Sequence, residues 1–348
     1  MSAQYAMARP EGTSPEQWMM QLLSGFMASQ YVQVVAKLGL ADLVSDGPRS
    51  PADLAAACGA DETSLVRLLR ALASLGVFAE TSDGLFETTP LASVLRADHP
   101  SSLRGIGVFY GQERIWRAYG ALEHSVRTGG TAFDHVFGED FYEHLAGSPE
   151  AARIFGDAMG SFASIQSRQL VREHDFARFA RVLDVGGNYG AFLVELLRAH
   201  PGMHGVLFDA PHVVDAARSR LARIEPAVRD RIEVAGGDFL REVPAGCDAY
   251  VLRNALQDWD DERAHAILVK CREAMTERAA LLVIGRLLER GNDPHPAKFT
   301  DVTMMVLTGG HERKEEEMRA LLAGAGFAVR SITRTTAMVA VVEASVAR

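Results

Sequence analysis

The chain has 348 residues, of which 48% are hydrophobic and 23% charged, and this composition excludes a disordered or fibrous protein. Its length is sufficient for about two domains with separate cores. The formal net charge of −9 argues against a nucleic acid or an anionic membrane as the ligand. No apolar run approaches the ~18 residues of a membrane span, and residues 1–15 lack the apolar core of a signal peptide. We therefore expect a cytoplasmic protein.

The cysteines and histidines predict neither a disulfide framework nor a metal site. The cysteines are few, odd in number and far apart in the sequence, as is typical of a reducing compartment. The histidines of the middle third have no cysteine or acid near them at metal-ligand spacing. The residues considered are Cys58, Cys247, Cys271, His124, His135 and His144.

At the N-terminus, residues 1–15 predict a flexible tail, and a helix is expected to begin at Glu16. The helix carries one broad apolar stripe, formed by Trp18, Met19, Leu22, Leu23, Phe26 and Met27. A stripe this dense near a terminus is either core or the surface that meets a partner subunit. We favour the second interpretation, in which the protein is a homodimer.

Residues 30–100 have the pattern of a winged helix-turn-helix, which could belong to a DNA-binding regulator. Five basic against nine acidic side chains give this segment a net charge of −4, whereas a DNA reader needs a basic face. We therefore predict a winged-helix domain over residues 16–100 that serves dimerisation. The predicted elements are helices over 32–38, 52–58 and 62–75 and a hairpin of strands over 77–80 and 85–88.

The next segment, residues 101–175, is predicted to be helical and to connect the two domains. It is rich in aromatic side chains, and most of them must fill a core. Those that come last before the next domain, Phe155, Met159 and Phe162, could equally line an aromatic substrate pocket.

From Phe176 onward, strands alternate with helices, which predicts a parallel sheet with helices on both faces. Two final strands joined by a short turn end this sheet with an antiparallel hairpin. The predicted fold class is therefore α/β, with a Rossmann-like sheet over residues 176–348. The strands are expected over 182–185, 206–208, 232–234, 249–252, 280–284, 327–332 and 338–342.

A glycine-rich turn after the first of these strands predicts a nucleotide site. Gly186, Gly187 and Gly190 stand between the strand and a helix with an apolar face. Glycines take positive φ and let a ligand approach the backbone, and the free N–H groups of the helix then face that ligand. The run lacks the Gly-x-Gly-x-x-Gly spacing that packs a pyrophosphate.

Acids at three successive strand ends indicate which nucleotide this is. Asp209 stands about 20 residues past the turn, as an acid that binds a ribose does. Asp184 lies beside the turn, where it would repel a pyrophosphate and suits an ammonium group. Asp238 and Phe239 could bond an adenine amino group and pack on its ring. The combination favours a cationic nucleoside without phosphates, and S-adenosylmethionine is such a molecule.

Five motifs in this order resemble those of the class I S-adenosylmethionine-dependent O-methyltransferases of plant-caffeate and actinobacterial natural-product type. They are Leu-Asp-Val-Gly-Gly at 183–187, Phe-Asp-Ala-Pro-His-Val-Val at 208–214, Gly-Gly-Asp-Phe at 236–239, Asp-Trp-Asp-Asp-Glu at 258–262 and Gly-Gly-His-Glu-Arg at 309–313. The resemblance implies a homodimer whose N-terminal helices help to close the partner's active site. It also implies that Gly186 lies near the methionine part of the cofactor and Arg253 close to the adenosine.

The resemblance breaks at the catalytic base. The family places a histidine directly before Asp-Trp and supports it with a glutamate at the end of the next strand, but here Gln257 and Gly285 occupy those positions. A glutamine cannot take a proton at neutral pH, and a general base is typically worth ~10²–10⁴ in rate. The third acid of the family pattern, Glu312, is present.

Three alternatives follow for the chemistry. The enzyme could methylate an acidic oxygen, a nitrogen or a carbon of a small hydrophobic, aromatic or polyketide-like molecule by proximity alone. His311 beside Glu312 could instead supply the base. The cofactor could also be bound while a non-methylating step, such as a hydroxylation, a decarboxylation or a pericyclic reaction, is catalysed. Further substrate contacts are expected from Asn254, Asp258, Met304 and Met305.

Overall fold

The computed structural model describes residues 10–347, except for the side chain of Ile165. The sequence predicts a flexible tail over residues 1–15, and residues 1–9 of that tail lie outside the described part of the chain. The chain divides into two compact units. The first unit holds residues 10–116 together with residues 153–162, and the second unit holds residues 117–152 and 163–347 of the described chain.

The first unit has the winged helix-turn-helix arrangement that the sequence pattern predicts. Strands β1 (Phe78–Glu80) and β2 (Phe86–Thr88) pair antiparallel as the wing, and their phenylalanines share a core with leucines of the two preceding helices. The helices of this unit that begin before residue 117 are α1 (Pro15–Leu38), α2 (Leu40–Leu43), α3 (Pro51–Cys58), α4 (Glu62–Ser74), α5 (Pro90–Ser93), α6 (Arg104–Tyr110) and α7 (Glu113–Gly120), of which the last continues into the second unit.

Helix α1 is longer than predicted. The prediction of separate helices from Glu16 and over 32–38 is wrong, because residues 28–31 contain neither proline nor glycine and the helix continues through them. The helix begins at a capping box between Ser14 and Gln17 and ends at Gly39, where φ is 69°. In its first half, Met19 and Leu23 are 55% and 66% exposed, so the apolar stripe is uncovered in this chain.

The second unit contains a seven-stranded sheet in the order β5-β4-β3-β6-β7-β9-β8. The first five strands in that order are parallel, and β9 runs antiparallel to both β7 and β8. The predicted Rossmann-like sheet with a C-terminal antiparallel hairpin is confirmed. The strands are β3 (Arg181–Val185), β4 (His204–Asp209), β5 (Ile232–Gly236), β6 (Ala249–Arg253), β7 (Ala280–Gly285), β8 (Phe327–Arg334) and β9 (Ala340–Val346).

The last strand begins later than predicted, at Ala340 rather than at residue 338. Met338 has φ 60° and forms part of the turn, which an apolar run in the sequence could not reveal. Helices pack on both faces of the sheet, and successive residues of β6 enter opposite cores, Tyr250 on one face and Val251 on the other. The remaining helices are α8 (Leu122–Thr128), α9 (Ala132–Phe137), α10 (Phe141–Gly147), α11 (Pro149–Glu173), α12 (Ala191–Ala199), α13 (Pro211–Leu221), α14 (Pro226–Arg229), α15 (Asp261–Ala274), α16 (Pro296–Leu307) and α17 (Glu315–Gly324), with a 3₁₀ turn at Leu256–Asp258.

The carboxyl ends of β3, β4, β6 and β7 meet at one edge of the sheet. Val185 pairs with Phe208 on one side and with Leu252 on the other, and Arg253 pairs with Ile284. The strand order reverses at β3, and in doubly wound sheets ligands bind outside the carboxyl ends at such a point. This edge is therefore where a ligand is expected. Within residues 10–347, no helix is both long and apolar enough to cross a membrane.

Candidate active site

The glycine turn after β3 gives a ligand access to the backbone. Gly186 has φ 71° and Gly190 has φ 78°, conformations that favour glycine over any other residue. A Cβ built at Gly186 would have Phe239 and Ala255 as its nearest neighbours, at 3.7 and 3.8 Å. Gly190 precedes the first residue of α12, so the free N–H groups of that helix lie beside the turn.

Asp184 lies beneath this turn and is 2% exposed. A Cβ at Gly187 would lie 2.6 Å from Asp184 Oδ2 and 2.5 Å from Leu207 Cδ1, so position 187 has no room for a side chain. Burial raises the pKa of Asp184 to about 7, although the guanidinium of Arg253 lowers it, and the charge of Asp209 raises it further. A buried carboxyl that is not fully neutralised attracts a cationic ligand.

Asp209 stands at the end of β4, held by the backbone. Its Oδ2 accepts the N–H of Asn188 and its Oδ1 accepts the N–H of Ala210, both at 2.7 Å. Burial raises the pKa of Asp209 above its ordinary value, and the two backbone hydrogen bonds oppose this effect. Each oxygen retains a lone pair that a ligand hydroxyl can use.

Asp238 and Phe239, the predicted adenine contacts, are placed differently from each other. The Phe239 ring lies against the position of a Gly186 Cβ and packs edge-on against Trp259, with ring centroids 6.0 Å apart. Asp238 accepts the N–H of Leu240 at 2.9 Å, and its side chain is 50% exposed. Phe239 therefore borders the glycine turn, whereas Asp238 caps its own loop; an adenine contact from Asp238 stays a prediction.

Arg253 and Asn254 converge on one glutamine oxygen. Arg253 Nη2 donates to Gln166 Oε1 at 3.1 Å, and Asn254 Nδ2 donates to the same oxygen at 3.4 Å. Burial lowers the pKa of Arg253 to about 10, although the nearby Asp184 raises it. Asn254 Oδ1 is buried, and within residues 10–347 it has no hydrogen-bond partner.

Gln257 lies in the 3₁₀ turn and faces the end of β7. A Cβ at Gly285 would lie 3.7 Å from Gln257 Oε1 and 3.9 Å from Asn254 Oδ1. Two amide oxygens therefore lie within van der Waals contact of the Cβ position at residue 285. Gln257 and Gly285 also line a cavity of about 20 Å³ together with Arg286 and Glu312, which is room for one water molecule.

The segment after α16 holds the Gln257 loop in place. A Cβ at Gly310 would lie 2.1 Å from the carbonyl oxygen of Gln257, so the two backbones are in direct contact there. Arg313 is 2% exposed and donates to the carbonyl oxygens of Leu256, at 2.8 Å, and Trp259, at 3.0 Å. Its Nε donates to a carboxylate at the start of α15. Both ends of the 3₁₀ turn are thus fixed by one arginine.

Glu312 and His311 have different surroundings. Glu312 is 2% exposed, accepts a hydrogen bond from Thr300 Oγ1 at 2.6 Å, and lies 4.0 Å from Arg286 Nη1. Burial raises the pKa of Glu312 to about 7, while the Thr300 hydrogen bond and Arg286 lower it. His311 Nε2 lies 3.5 Å from Asp261 Oδ1, and the His311 side chain is 40% exposed. A catalytic role for either residue stays a prediction.

Tyr142 belongs to this site, although sequence reasoning missed it. Its hydroxyl donates to Asp258 Oδ2 at 2.6 Å, and its ring stacks on Trp259 with centroids 5.2 Å apart. Burial raises the pKa of Asp258 to about 7, the Tyr142 hydrogen bond lowers it, and Glu312 raises it. The two bonded residues are 116 positions apart, so no local pattern could have shown the contact.

The predicted substrate residues fall in both units. Met304 and Met305 are half-buried on α16 in the second unit. The part of α11 that belongs to the first unit carries Phe155, Met159 and Phe162. There, Phe155 packs edge-on against Phe109 with ring centroids 5.7 Å apart. The substrate-binding roles of all these residues stay predictions.

A family model described as an O-methyltransferase domain matches residues 119–328, and a second, described as an O-methyltransferase dimerisation domain, matches residues 20–98. The chain belongs to the O-methyltransferase family. The resemblance that the sequence motifs indicate is confirmed. The winged-helix segment is a dimerisation domain, which supports the predicted homodimer and leaves the DNA-binding regulator without support.

Relatives match along almost the whole chain. Phenazine O-methyltransferase PhzM of Lysobacter antibioticus is 42% identical over 94% of this chain and 95% of its own length. The 8-amino-8-demethylriboflavin N,N-dimethyltransferase of Streptomyces davaonensis is 39% identical over 96% of this chain and 98% of its own length. Human N-acetylserotonin methyltransferase, solved in complex with S-adenosylmethionine, is 27% identical and has a TM-score of 0.89 over 98% of this chain and 100% of its own. All three are methyltransferases, and none favours the non-methylating alternative.

Proposed function

We propose that this protein is a homodimeric, cytoplasmic enzyme that transfers a methyl group from S-adenosylmethionine to a small, planar aromatic molecule. The observation that carries the proposal is the pair of acids, buried Asp184 and half-buried Asp209, that border an open glycine turn at the switch point of a methyltransferase sheet. S-adenosylmethionine supplies a methyl group carried on a sulfonium, which makes that methyl electrophilic.

The residues around the turn fit this cofactor. Asp184 lies buried beside the turn, and a cationic methionine portion bound there would favour its ionised form. Asp209, fixed by two backbone N–H groups, suits the two hydroxyls of a ribose. Phe239 beside Gly186 offers a ring face to an adenine. Buried acids beside the turn would repel a pyrophosphate, so this arrangement disfavours NAD.

The chain promotes transfer by positioning rather than through a histidine base. Gln257 can hydrogen-bond an acceptor group but cannot take its proton. Arg313 and the backbone contact at Gly310 hold the Gln257 loop rigidly against the end of the sheet. Positioning of two reactants can lower a barrier by ~7–11 kcal/mol in favourable cases, which is sufficient for a reaction whose methyl donor is already activated.

The acceptor class follows from the family and from the apolar residues of α16. The names of the two bacterial relatives specify a phenazine and a riboflavin derivative as the molecules on which those proteins act, and both contain fused aromatic rings. Met304 and Met305 supply flexible apolar side chains of the kind that adapt to flat ligands. We therefore assign a planar, polycyclic aromatic acceptor.

Calorimetric titration with S-adenosylmethionine tests the cofactor assignment. Removing the carboxylate in Asp209→Ala is expected to weaken binding at least tenfold, since a hydrogen bond to a charged group is worth ~1.5–3 kcal/mol. Asp230→Ala, which removes an exposed acid paired with Arg229, is the matched control and should bind like the unaltered protein. No binding by the unaltered protein, or equal binding by Asp209→Ala, would contradict the assignment.

A further inference from the structure

We propose that Tyr142 is a positioning residue for S-adenosylmethionine, because it holds Trp259 and Phe239 in the arrangement that receives the adenosine part. The inference rests on the proposed function and adds to it a residue that lies outside the five sequence motifs. It follows from the ring contacts of Tyr142, from the hydrogen bond of its hydroxyl, and from the supports on either side of it.

A row of three rings leads from α10 to the glycine turn, and we call it the ring row. Tyr142 stacks on Trp259, with centroids 5.2 Å apart and 17° between the ring planes. Trp259 in turn meets Phe239 edge-on at 6.0 Å. Phe239 Cε1 lies 3.7 Å from the position of a Cβ at Gly186, so the row ends at the turn where the cofactor is expected. The placement of Phe239 therefore depends on Trp259, and through it on Tyr142.

The Tyr142 hydroxyl fixes the orientation of the ring row. It donates to Asp258 Oδ2 at 2.6 Å, and a hydrogen bond to a carboxylate is stronger than one between neutral groups. Since Asp258 precedes Trp259 in the chain, the hydroxyl and the ring of Tyr142 contact two successive residues of one loop. Burial raises the pKa of the Tyr142 hydroxyl well above its ordinary value, and the charges of Asp258 and Asp209 raise it further. The hydroxyl therefore keeps its proton, and it lies within the electrostatic range of the acid proposed for the ribose.

The segment that carries Tyr142 is well supported. Asp140 caps α10 by accepting two backbone N–H groups, at 2.8 and 2.9 Å. Phe141 is 2% exposed and packs edge-on against Phe133 of α9, with centroids 5.3 Å apart. Two successive residues of α10 thus have different partners, since Phe141 belongs to the contact with α9 and Tyr142 to the contact with Trp259.

The backbone on the other side is fixed as well, because Arg313 donates to the carbonyl oxygen of Trp259. The Trp259 ring needs a support of its own. Arg263 lies 5.6 Å from the centroid of this ring, but an exposed cation–π contact holds a ring only weakly. Tyr142 supplies the stacked ring and the hydrogen bond together. A site whose side chains are ordered in advance loses less conformational entropy when its ligand binds.

The alternative is that Tyr142 only fills a core, which needs its ring but not its hydroxyl. Calorimetric titration of Tyr142→Phe separates the two, because this variant keeps the ring and removes the donor to Asp258. We expect it to bind S-adenosylmethionine and S-adenosylhomocysteine roughly tenfold more weakly than the unaltered protein does, since the rings must then be ordered during binding. Tyr119→Phe is the matched control, because the Tyr119 hydroxyl is also hydrogen-bonded, to Thr303 Oγ1 at 2.7 Å, in the same unit. It should bind both ligands like the unaltered protein.

The comparison of the two ligands shows which part of the cofactor is affected. They share the adenosine and differ in the positive charge of the sulfonium. A ring row that positions the adenosine should affect both alike, so the ratio of their dissociation constants should change by less than about twofold in Tyr142→Phe. A loss confined to S-adenosylmethionine would mean that Tyr142 acts through the charge of Asp258. That result, or equal affinities of Tyr142→Phe and the unaltered protein, overturns the proposal.

Fluorine NMR of protein labelled with 5-fluorotryptophan gives a readout that a merely stabilising role would not change. The chain has three tryptophans, and the resonance of Trp259 is the one that disappears in Trp259→Phe. In Tyr142→Phe without ligand, we expect this resonance to broaden by about twofold or more, and to sharpen again when S-adenosylhomocysteine is added. In Tyr119→Phe it should keep its width. An unchanged width in Tyr142→Phe overturns the proposal, whereas failure of the unaltered protein to bind either ligand contradicts the proposed function itself.

Discussion

The glycine turn after β3 and the end of β7 lie on one edge of the same sheet, yet they are constructed differently. At the turn, Gly187 has no space for a single carbon atom and Asp209 is held by two backbone N–H groups. At the end of β7, a Cβ at Gly285 would meet only ordinary contacts of 3.7 and 3.9 Å, and Asn254 has a buried oxygen without a partner in the described chain. The first region has no room for an added side chain, whereas the second has room for a Cβ and retains an unsatisfied hydrogen-bond acceptor.

The largest expected effect comes from adding one methyl group to the glycine turn, and the same addition at the end of β7 serves as its control. Gly187→Ala would place a Cβ 2.5 Å from Leu207, an overpacking that typically costs ~1–3 kcal/mol and that displaces the turn. We expect S-adenosylmethionine to bind at least 100-fold more weakly and the unfolding temperature to fall by several degrees, measured by calorimetry and thermal denaturation. Gly285→Ala is the matched control, because its nearest contacts of 3.7 and 3.9 Å are ordinary. Equal cofactor affinity in the two variants would remove the distinction between the regions.

A smaller effect on cofactor affinity is expected from releasing the Gln257 loop. Arg313→Met removes the donors to the carbonyl oxygens of Leu256 and Trp259, and hydrogen bonds from a charged group are worth ~1.5–3 kcal/mol each. We expect the free energy of unfolding in urea to fall by about 2–4 kcal/mol, with a weaker effect on cofactor affinity than that of Gly187→Ala. Arg290→Met, which alters an arginine with an 80% exposed side chain, is the control. Unchanged stability in Arg313→Met would show that the loop is held by other contacts.

The fold and the cofactor region could be predicted from the sequence because their signals are local. Gly186, Gly187 and Gly190 follow directly after a short apolar strand, and Asp209 ends the next one. Chain order and strand alternation then determine which ends share an edge. Asp238 also follows a strand end, but its carboxylate accepts the N–H of its own loop, so its contact with a ligand stays a prediction.

The acceptor region could be predicted only as a departure from a pattern. Gln257 and Gly285 show what is missing, but not what replaces it. The contact of Tyr142 with Asp258, and the orientation that Gln166 imposes on Asn254, depend on side chains far apart in sequence. Such contacts arise from tertiary packing, and no spacing rule for helices or strands encodes them.

A moderate effect is expected on the pH dependence of the stability, to which both regions contribute buried carboxyls. Burial raises the pKa values of Asp184, Asp258 and Glu312 to about 7, above those of unfolded carboxyls. At pH values between the unfolded and the folded pKa, these carboxyls keep protons in the folded protein that they have lost in the unfolded chain. The stability without ligand should therefore decrease as the pH rises from 5 to 8. Thermal denaturation across this range measures the slope.

Asp258→Asn should reduce that slope by roughly a third, because it removes one of the three carboxyls whose pKa is raised to about 7 and can still accept the Tyr142 hydrogen bond. Asp230→Asn, at an exposed acid, should leave the slope unchanged. Stability that rises with pH over this window would mean that these carboxyls are ionised in the folded protein without penalty.

The smallest effect is expected at the position where the family has its base. Gln257→Ala removes one hydrogen-bond acceptor but no proton acceptor, so the rate of methyl transfer at saturating S-adenosylmethionine should fall about tenfold or less. The measurement is kcat for Gln257→Ala and the unaltered protein with the same aromatic acceptor, at the same pH. A loss within tenfold is the result that transfer by positioning predicts, and a loss of a thousandfold or more would show that residue 257 takes a direct part in proton transfer.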